Sequence, residues 1–551
     1  MSSLRIHTLA LTIAALAASA GCLGLVGSQR RQAVPATRSD LFQIRPMQLE
    51  RAEPNLLIQL AEPNAGPVEL TLEECRVLAL QNNLSLQATL IGPAIAQQRI
   101  NEERARFEAI FSANATLNIT DTPSVSFYDE IYGSQAESLI ADVGIQRPLE
   151  SGGSVSIRAT DLRTKTDALY TKFNPYYSSD LTFSISQPLL RNMGMPVATY
   201  GIRIAALERQ ITDARTRLEV IRLLASVDRL YWRVYAAAKD LEVRRQQLDL
   251  AKAQLEKARR LVEQGERAQV ELIRAQAGLA QRMEAVIVAQ NNLAERQREL
   301  KRLMNQPGLG LQDQEPLVVR TEPRPVPYRL DERRLVEAAI ANRMEMLELE
   351  LQLAQDALTI DYQRNQALPL VVLDYTYNIN GLGASRSDSW DLLTDNLFAD
   401  NRLGLRLQVP IGNQAANSRI RQAVYQKCQR LASLKDRRSQ IEMEVLNAAA
   451  NVRTNWQRIL ASRENTILQA RLYEAEKRQF ELGLNTSTDV LDAQARLADA
   501  QTAEIAALVD YQIALVDLAY ATGTLIGASN IEWQPLQPET LSRSLPADGR
   551  R

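Results

Sequence analysis

Histidine is almost missing from this chain: the single one, His7, lies in an N-terminal segment that reads as a removable leader. A mature chain without imidazole has no Ser-His-Asp triad, no Cys-His pair and no histidine metal ligand. Cysteine is scarce as well. Cys22, Cys75 and Cys428 are spaced too widely for a zinc or iron–sulfur pattern, so Cys75 and Cys428 are expected to be small buried hydrophobes. Charge of one sign is not in surplus. The formal net charge is -1, which removes the basic excess that nucleic-acid binding wants. No segment after the leader has about 18 uninterrupted apolar residues, so no transmembrane helix is expected; a closed barrel remains as a way to span a membrane. A Gly-rich phosphate loop and a metal cluster are also missing, so the chain is expected to be no enzyme and to hold no cofactor.

What is present is the material of long solvated helices. The 551 residues are 45% hydrophobic and 23% charged, rich in Ala, Gln, Arg, Glu and Leu. Arg5 precedes an apolar run from Leu9 to Ala20 that is too short to cross a bilayer, so residues 1–21 read as a signal peptide. The run ends in Ser19-Ala20-Gly21-Cys22, which resembles a bacterial lipobox. That resemblance implies a diacylglyceryl thioether on Cys22 and an acylated mature N-terminus. The alternative is ordinary cleavage after the Ala17–Ala20 stretch with Cys22 left as a thiol. Residues 22–68, polar with several prolines, read as an extended tether.

The remainder states the same order twice. Ala79-Leu80-Gln81-Asn82-Asn83-Leu84 recurs as Ala339-Ile340-Ala341-Asn342-Arg343-Met344. Gly265 is followed by Ala275-Gln276-Ala277-Gly278-Leu279-Ala280, and Gly483 by Ala493-Gln494-Ala495-Arg496-Leu497-Ala498, at a constant offset. The first repeat is placed at 69–315, a Pro-rich linker at 316–328, the second repeat at 329–524 and a tail at 525–551. Each half is expected to hold two main strands of alternating character, near 110–120 and 180–189 and near 370–380 and 402–412. An additional hairpin at 138–160, turning at Ser151-Gly152-Gly153, either decorates the outer loops or joins the wall. About ten residues suits a tilted strand across an outer membrane, but alternation alone does not separate such a barrel from a water-soluble sandwich. Proline-free runs follow the strands. Long helices are expected over 197–304 and 414–522, turning back at Gly265 and Gly483, with an apolar heptad seam from Val220 to Val262 that only Arg244 breaks.

Two halves, each with paired strands and a helix of about 66 residues returning at a glycine, resemble the TolC-like outer membrane efflux proteins. The likeness covers roughly residues 68 to 530. It is most specific at Gly483 to Ala498, with Thr488-Asp489-Val490-Leu491-Asp492, and at Gln187-Pro188-Leu189-Leu190. The resemblance implies a mixed fold, a membrane β-barrel joined to an α-helical coiled-coil barrel, built as a homotrimer. It implies an outer-membrane, lipid-anchored exit duct for efflux or type I secretion, docked onto a periplasmic adaptor and an inner-membrane RND or ABC transporter. Asp489 and Asp492 match the family's aspartate pair at the periplasmic entrance. Their counterparts in the first half are Glu271 and Arg274. Thr486 to Asp489 also fits a helix capping box, which explains Asp489 but not Asp492. Gly265 and Gly483 fit left-handed C′ residues, and the resemblance adds adaptor docking at these tips. A structural coiled-coil lipoprotein of the envelope is the competing reading.

Overall fold

The computed structural model describes residues 68–123, 131, 133–266, 268–312, 316–482 and 484–528. The leader, Cys22 and most of the tether lie outside them. The repeat is visible element by element. In the first half Val68–Leu70 forms β1, followed by helices Leu72–Asn82 (α1), Leu84–Leu90 (α2) and Gly92–Ala105 (α3). Strands Ile110–Asp121 (β2), Gln135–Pro148 (β3), Ser154–Thr166 (β4) and Tyr176–Pro188 (β5) come next. The half ends with helices Met195–Ala198 (α4), Tyr200–Glu263 (α5) and Gln269–Met304 (α6). The second half runs Leu317–Val319 (β6), Glu332–Asn342 (α7), Met344–Gln366 (α8), Leu370–Gly383 (β7), Arg386–Thr394 (α9) and Ala399–Gln408 (β8). It closes with Gln414–Glu481 (α10), Ser487–Ala521 (α11) and Leu525–Ala528 (α12).

The repeated Asn83 and Arg343 positions explain one another. Each breaks an 11-residue helix from the next with an extended backbone, φ -67 and ψ 116 at Asn83 and φ -73 and ψ 128 at Arg343. The side chains then differ. Asn83 caps α2, its Oδ1 accepting from the Leu86 amide at 2.9 Å. Buried Arg343 instead meets Glu345 at 2.7 Å and also Glu444. The Pro-rich linker carries a short strand of its own: β6 lies parallel to β1, Val68 opposite Leu317 and Leu70 opposite Val319.

Two cores hold the helices. One gathers Val220, Leu224, Val227, Tyr231 and Val234 of α5 with Cys75, Ala79, Leu86, Leu300 and Met304. The other gathers Ile441, Val445, Ala449 and Val452 of α10 with Ala339, Met346 and Tyr511. Helix α11 serves both, through Val509 and Val516 in the first and Ala507, Ala514 and Leu518 in the second. Each such fully buried aliphatic side chain contributes about 1.5–3 kcal/mol. The tyrosines at these centres spend their hydroxyls on the linker: Tyr231 accepts from the Thr321 amide at 2.9 Å, and Tyr511 donates to the Val326 carbonyl. Cys75 is buried as expected, its thiol pushed up to about 12 chiefly by loss of water. Cys428 is not. It sits exposed on α10.

The strands form one antiparallel sheet in the order β2-β3-β4-β5-β7-β8. The two main strands expected in each half lie in this sheet, and the additional hairpin pairs between β2 and β5, so the first half supplies four strands and the second two. Strand β8 stops at Gln408, short of the expected 412, because Pro410 has no N–H for a ladder. Register puts all odd positions on one face: Phe111, Ile145, Ile157, Phe183 and Tyr377 form one row across five strands. The opposite face carries Ser, Thr, Asn, Asp and Arg. There Ser186 donates to Asp374 at 2.6 Å, Arg406 meets the same carboxylate at 3.0 Å, and Thr182 donates to Asn378 at 2.7 Å. Among the described residues only α9 packs across a face, at the far end of β5 and β7 on the apolar side. Gly381 lets it approach, since a Cβ there would strike the Ser389 carbonyl, and Arg386 pins it to Asp161 at 2.6 Å.

Candidate functional site

The two helical hairpins turn at the end remote from the sheet. Helix α5 has 64 residues and α10 has 68, each about 100 Å long. At the first turn Gly265 takes φ 74, a conformation that costs a glycine nothing. The Glu266 amide donates to the Leu261 carbonyl at 2.9 Å and the Gly265 amide to Val262 at 3.0 Å, a Schellman ending that satisfies the last carbonyls. At the second turn Leu484 donates to the Gln479 carbonyl at 3.0 Å, the equivalent outer bond. Gly483 itself lies outside the described residues. The hairpin ends are neighbours: Gly278 faces Leu491, with 3.6 Å from an added Cβ to Leu491 Cδ1, and Lys257 Nζ lies 5.6 Å from the Phe480 ring centre.

Helix α11 starts beside this turn. Asp489 Oδ2 accepts from the Thr486 hydroxyl at 2.7 Å and from the Thr486 amide at 3.0 Å, closing the carboxylate arm of a capping box. These bonds, the hydroxyl's first, hold the Asp489 carboxyl below the usual aspartate range. Asp492 stands one turn further along the same exposed face, followed by Arg496 and Asp499, while Val490 and Ala493 point into the hairpin. Both carboxylates therefore look away from their own coiled coil. The first-half counterparts behave differently, since Arg274 and Glu271 pair with each other at 2.9 Å. At these matched positions the second hairpin carries two like charges and the first an ion pair. Among the described residues no three His, Cys, Asp or Glu side chains converge as a resident metal site requires.

The sequence reading did not find the polar zipper that ties the hairpins together along their sides. Arg244, the residue that interrupts the apolar seam of α5, meets Asp240 at 3.4 Å and Asp499 of α11 at 3.4 Å. Asp240 also accepts from Thr502 at 3.0 Å, and Arg229 meets Asp517 at 2.6 Å. The break in the heptad was the available signal, an arginine where the seam wants an aliphatic residue.

No helix among the described residues is long and apolar enough to cross a membrane. No curated protein sequence matches this one. Solved structures do match in fold. The Campylobacter jejuni CmeC outer membrane channel is 14% identical with a TM-score of 0.61, over 91% of this chain and 97% of that one. The outer membrane protein VceC from Vibrio cholerae is 14% identical with a TM-score of 0.59, over 82% of this chain and 96% of that one. A membrane protein from Pseudomonas aeruginosa is 19% identical with a TM-score of 0.61, over 82% and 93%. The family model described as outer membrane efflux protein matches residues 76–306 and 335–524, once for each half. With most of its length under that model, the chain belongs to the outer membrane efflux protein family.

Proposed function

We propose that three copies of this chain close a β-barrel in the bacterial outer membrane and a helical tunnel beneath it, and that the assembly is a passive exit duct. One observation carries the reading. The six-stranded sheet has an apolar face and a polar face, both largely bare among the described residues, and its outermost strands β2 and β8 are exposed along nearly all their length. In β8, Leu403 and Leu405 remain 72% and 68% exposed. Such a sheet is unstable in water, where apolar rows and unpaired edges invite aggregation. A ring in a bilayer gives lipid to one face, water to the other and a partner to each edge.

The two-helix hairpins about 100 Å long would reach from the barrel deep into the periplasm. Their tips, at Gly265 and Gly483, would receive a periplasmic adaptor and through it an inner-membrane RND or ABC transporter, which supplies the energy. Cys22 would anchor each copy by lipid. Three-fold symmetry would gather three copies of Asp489 and Asp492 around one axis at the tunnel mouth. Clustered carboxylates repel one another, favour cations and bind divalent ions. The exposed, outward-facing placement of both aspartates supports that gate, as does the self-neutralised pair at Glu271 and Arg274.

The test is a planar bilayer. Discrete conductance steps are expected from the mature protein, whereas the competing structural lipoprotein leaves the membrane silent. Asp492→Asn removes charge without touching the Thr486 cap. It should raise conductance and weaken block by Mg2+ or Ca2+, and joint replacement of Asp489 and Asp492 by Ala should do so further. Unchanged conductance and block in both variants would remove the gate from the account.

A further inference from the structure

The hairpin of β3 and β4 is built into the middle of the sheet as firmly as any other pair. Register runs unbroken from β2 through β3 and β4 to β5: Ala113 opposite Val143, Val143 opposite Ala159, Ala159 opposite Leu181. The hairpin's near turn is also wired into the junction between sheet and helices. The Ser151 carbonyl accepts from the Gly194 amide at 3.0 Å and from Gln187 Nε2 at 3.2 Å, and the Ser151 hydroxyl donates to Gln187 Oε1 at 2.8 Å. Gly152 takes φ 91, and a Cβ on Gly153 would lie 2.6 Å from the Ser186 carbonyl, so the turn is shaped to that seat. A loop decoration needs none of this. The two edges are complementary as well: neighbours alternate in direction across all six strands, so β8 of one copy meets β2 of the next antiparallel.

We infer that β3 and β4 are structural staves of the wall, and that three copies, six strands each, close an eighteen-stranded barrel along β8–β2 seams. The inference rests on the trimeric duct proposed above and fixes its bore. With strands about 4.8 Å apart and tilted about 40°, eighteen strands give a backbone diameter of about 36 Å, against about 24 Å for twelve. The helices beneath agree with the wider figure. Next to the sheet each copy contributes α3, α5, α8 and the near half of α10, packed side by side. Twelve helices about 9–10 Å apart make a ring about 110–120 Å around, and eighteen tilted strands make one about 113 Å around. The barrel then continues the tunnel at constant width, and any selection by size falls to the tip.

Electron microscopy of the full-length trimer in lipid nanodiscs should resolve eighteen strands with β2 beside the next copy's β8. Twelve strands, with β3 and β4 outside the wall, overturn this inference and leave the duct standing; a particle without a barrel overturns both. Deleting residues 135–166 keeps the antiparallel alternation of the four remaining strands. In channels whose Asp489 and Asp492 are replaced by Ala, that deletion should lower conductance at least about twofold, as the square of the diameter ratio requires. An unchanged conductance counts against a stave role. Should the deleted protein fail to assemble, single cysteines along β3 of the whole chain decide. In a Cys428→Ser background, Asp142→Cys should react with a water-borne thiol reagent and Val143→Cys should not, and equal reaction of both refutes a lipid-facing wall.

Discussion

At the scale of single residues the least forgiving spot is Asp228. Its carboxylate is completely buried on α5 and meets Arg76 of α1 with two bonds of 2.7 Å. Burial, the largest influence, pushes its pKa up, and the guanidinium only partly opposes this. A carboxyl whose folded value lies above its unfolded one contributes most at low pH and loses that contribution as pH rises through the folded value. Arg76→Ala leaves the charge without a partner, which costs about 3–5 kcal/mol. The penalty should be widest at neutral pH and shrink toward pH 4, read as the gap between variant and parent melting temperatures. Arg76→Met with Asp228→Leu should recover most of the loss. A pH-independent gap would place the damage in packing instead. Neither partner announced the other in the sequence, because they stand 152 positions apart. Asp489 was legible, since a capping box is local. Arg244 was half legible: its break in the heptad is visible, but the Asp499 that explains it lies on another helix. Cys428 was misread for the same reason, as burial belongs to neighbours and not to residue type.

At the scale of elements the long helices were plain from their proline-free runs, and the ends differ by a few residues. Helix α5 begins at Tyr200 because Thr199 leaves helical geometry at φ -89 and ψ 13. The hairpin of β3 and β4 was harder. Its alternation blurs at the far end, where Ile140 and Leu162 sit on the polar face and Asp161 and Arg163 on the apolar one. Pairing with β2 and β5 settles its place, and register between strands is written in no single segment. The two faces make a matched test. Val143 and Thr160 lie near mid-strand on opposite faces of β3 and β4. Lysine at Val143 would enter the lipid and should cost about 2–4 kcal/mol, lowering the yield of assembled barrel. Lysine at Thr160 would face the aqueous lumen and should leave assembly near parental levels while making the pore less cation-preferring. Equal assembly of both variants would contradict the assignment of faces.

At the scale of the whole molecule the two parts differ in what they need from their surroundings. The helical part carries its own cores around Val227 and Val445, the Tyr231 and Tyr511 ties to the linker, and the Arg229–Asp517 and Arg244–Asp499 links between hairpins. It can order within one chain. Among the described residues the sheet has no such core. Its strands hold one another by backbone bonds, while apolar rows such as Phe111, Ile145 and Ile157 stay about half exposed or more. In the proposed ring, lipid and neighbouring copies would cover them, and the sheet's stability would then depend on solvent and stoichiometry together. Mature protein prepared without detergent or lipid should therefore keep its helical circular dichroism yet lack an ordered sheet band in the infrared, and it should run as a monomer or a heterogeneous aggregate. Adding micelles should bring the sheet signal and the trimer in the same concentration range, since ring closure and burial of the apolar face are one event. A fully formed sheet in a detergent-free monomer would mean that the sheet needs neither lipid nor neighbours, and the case for a membrane ring would lose its physical basis.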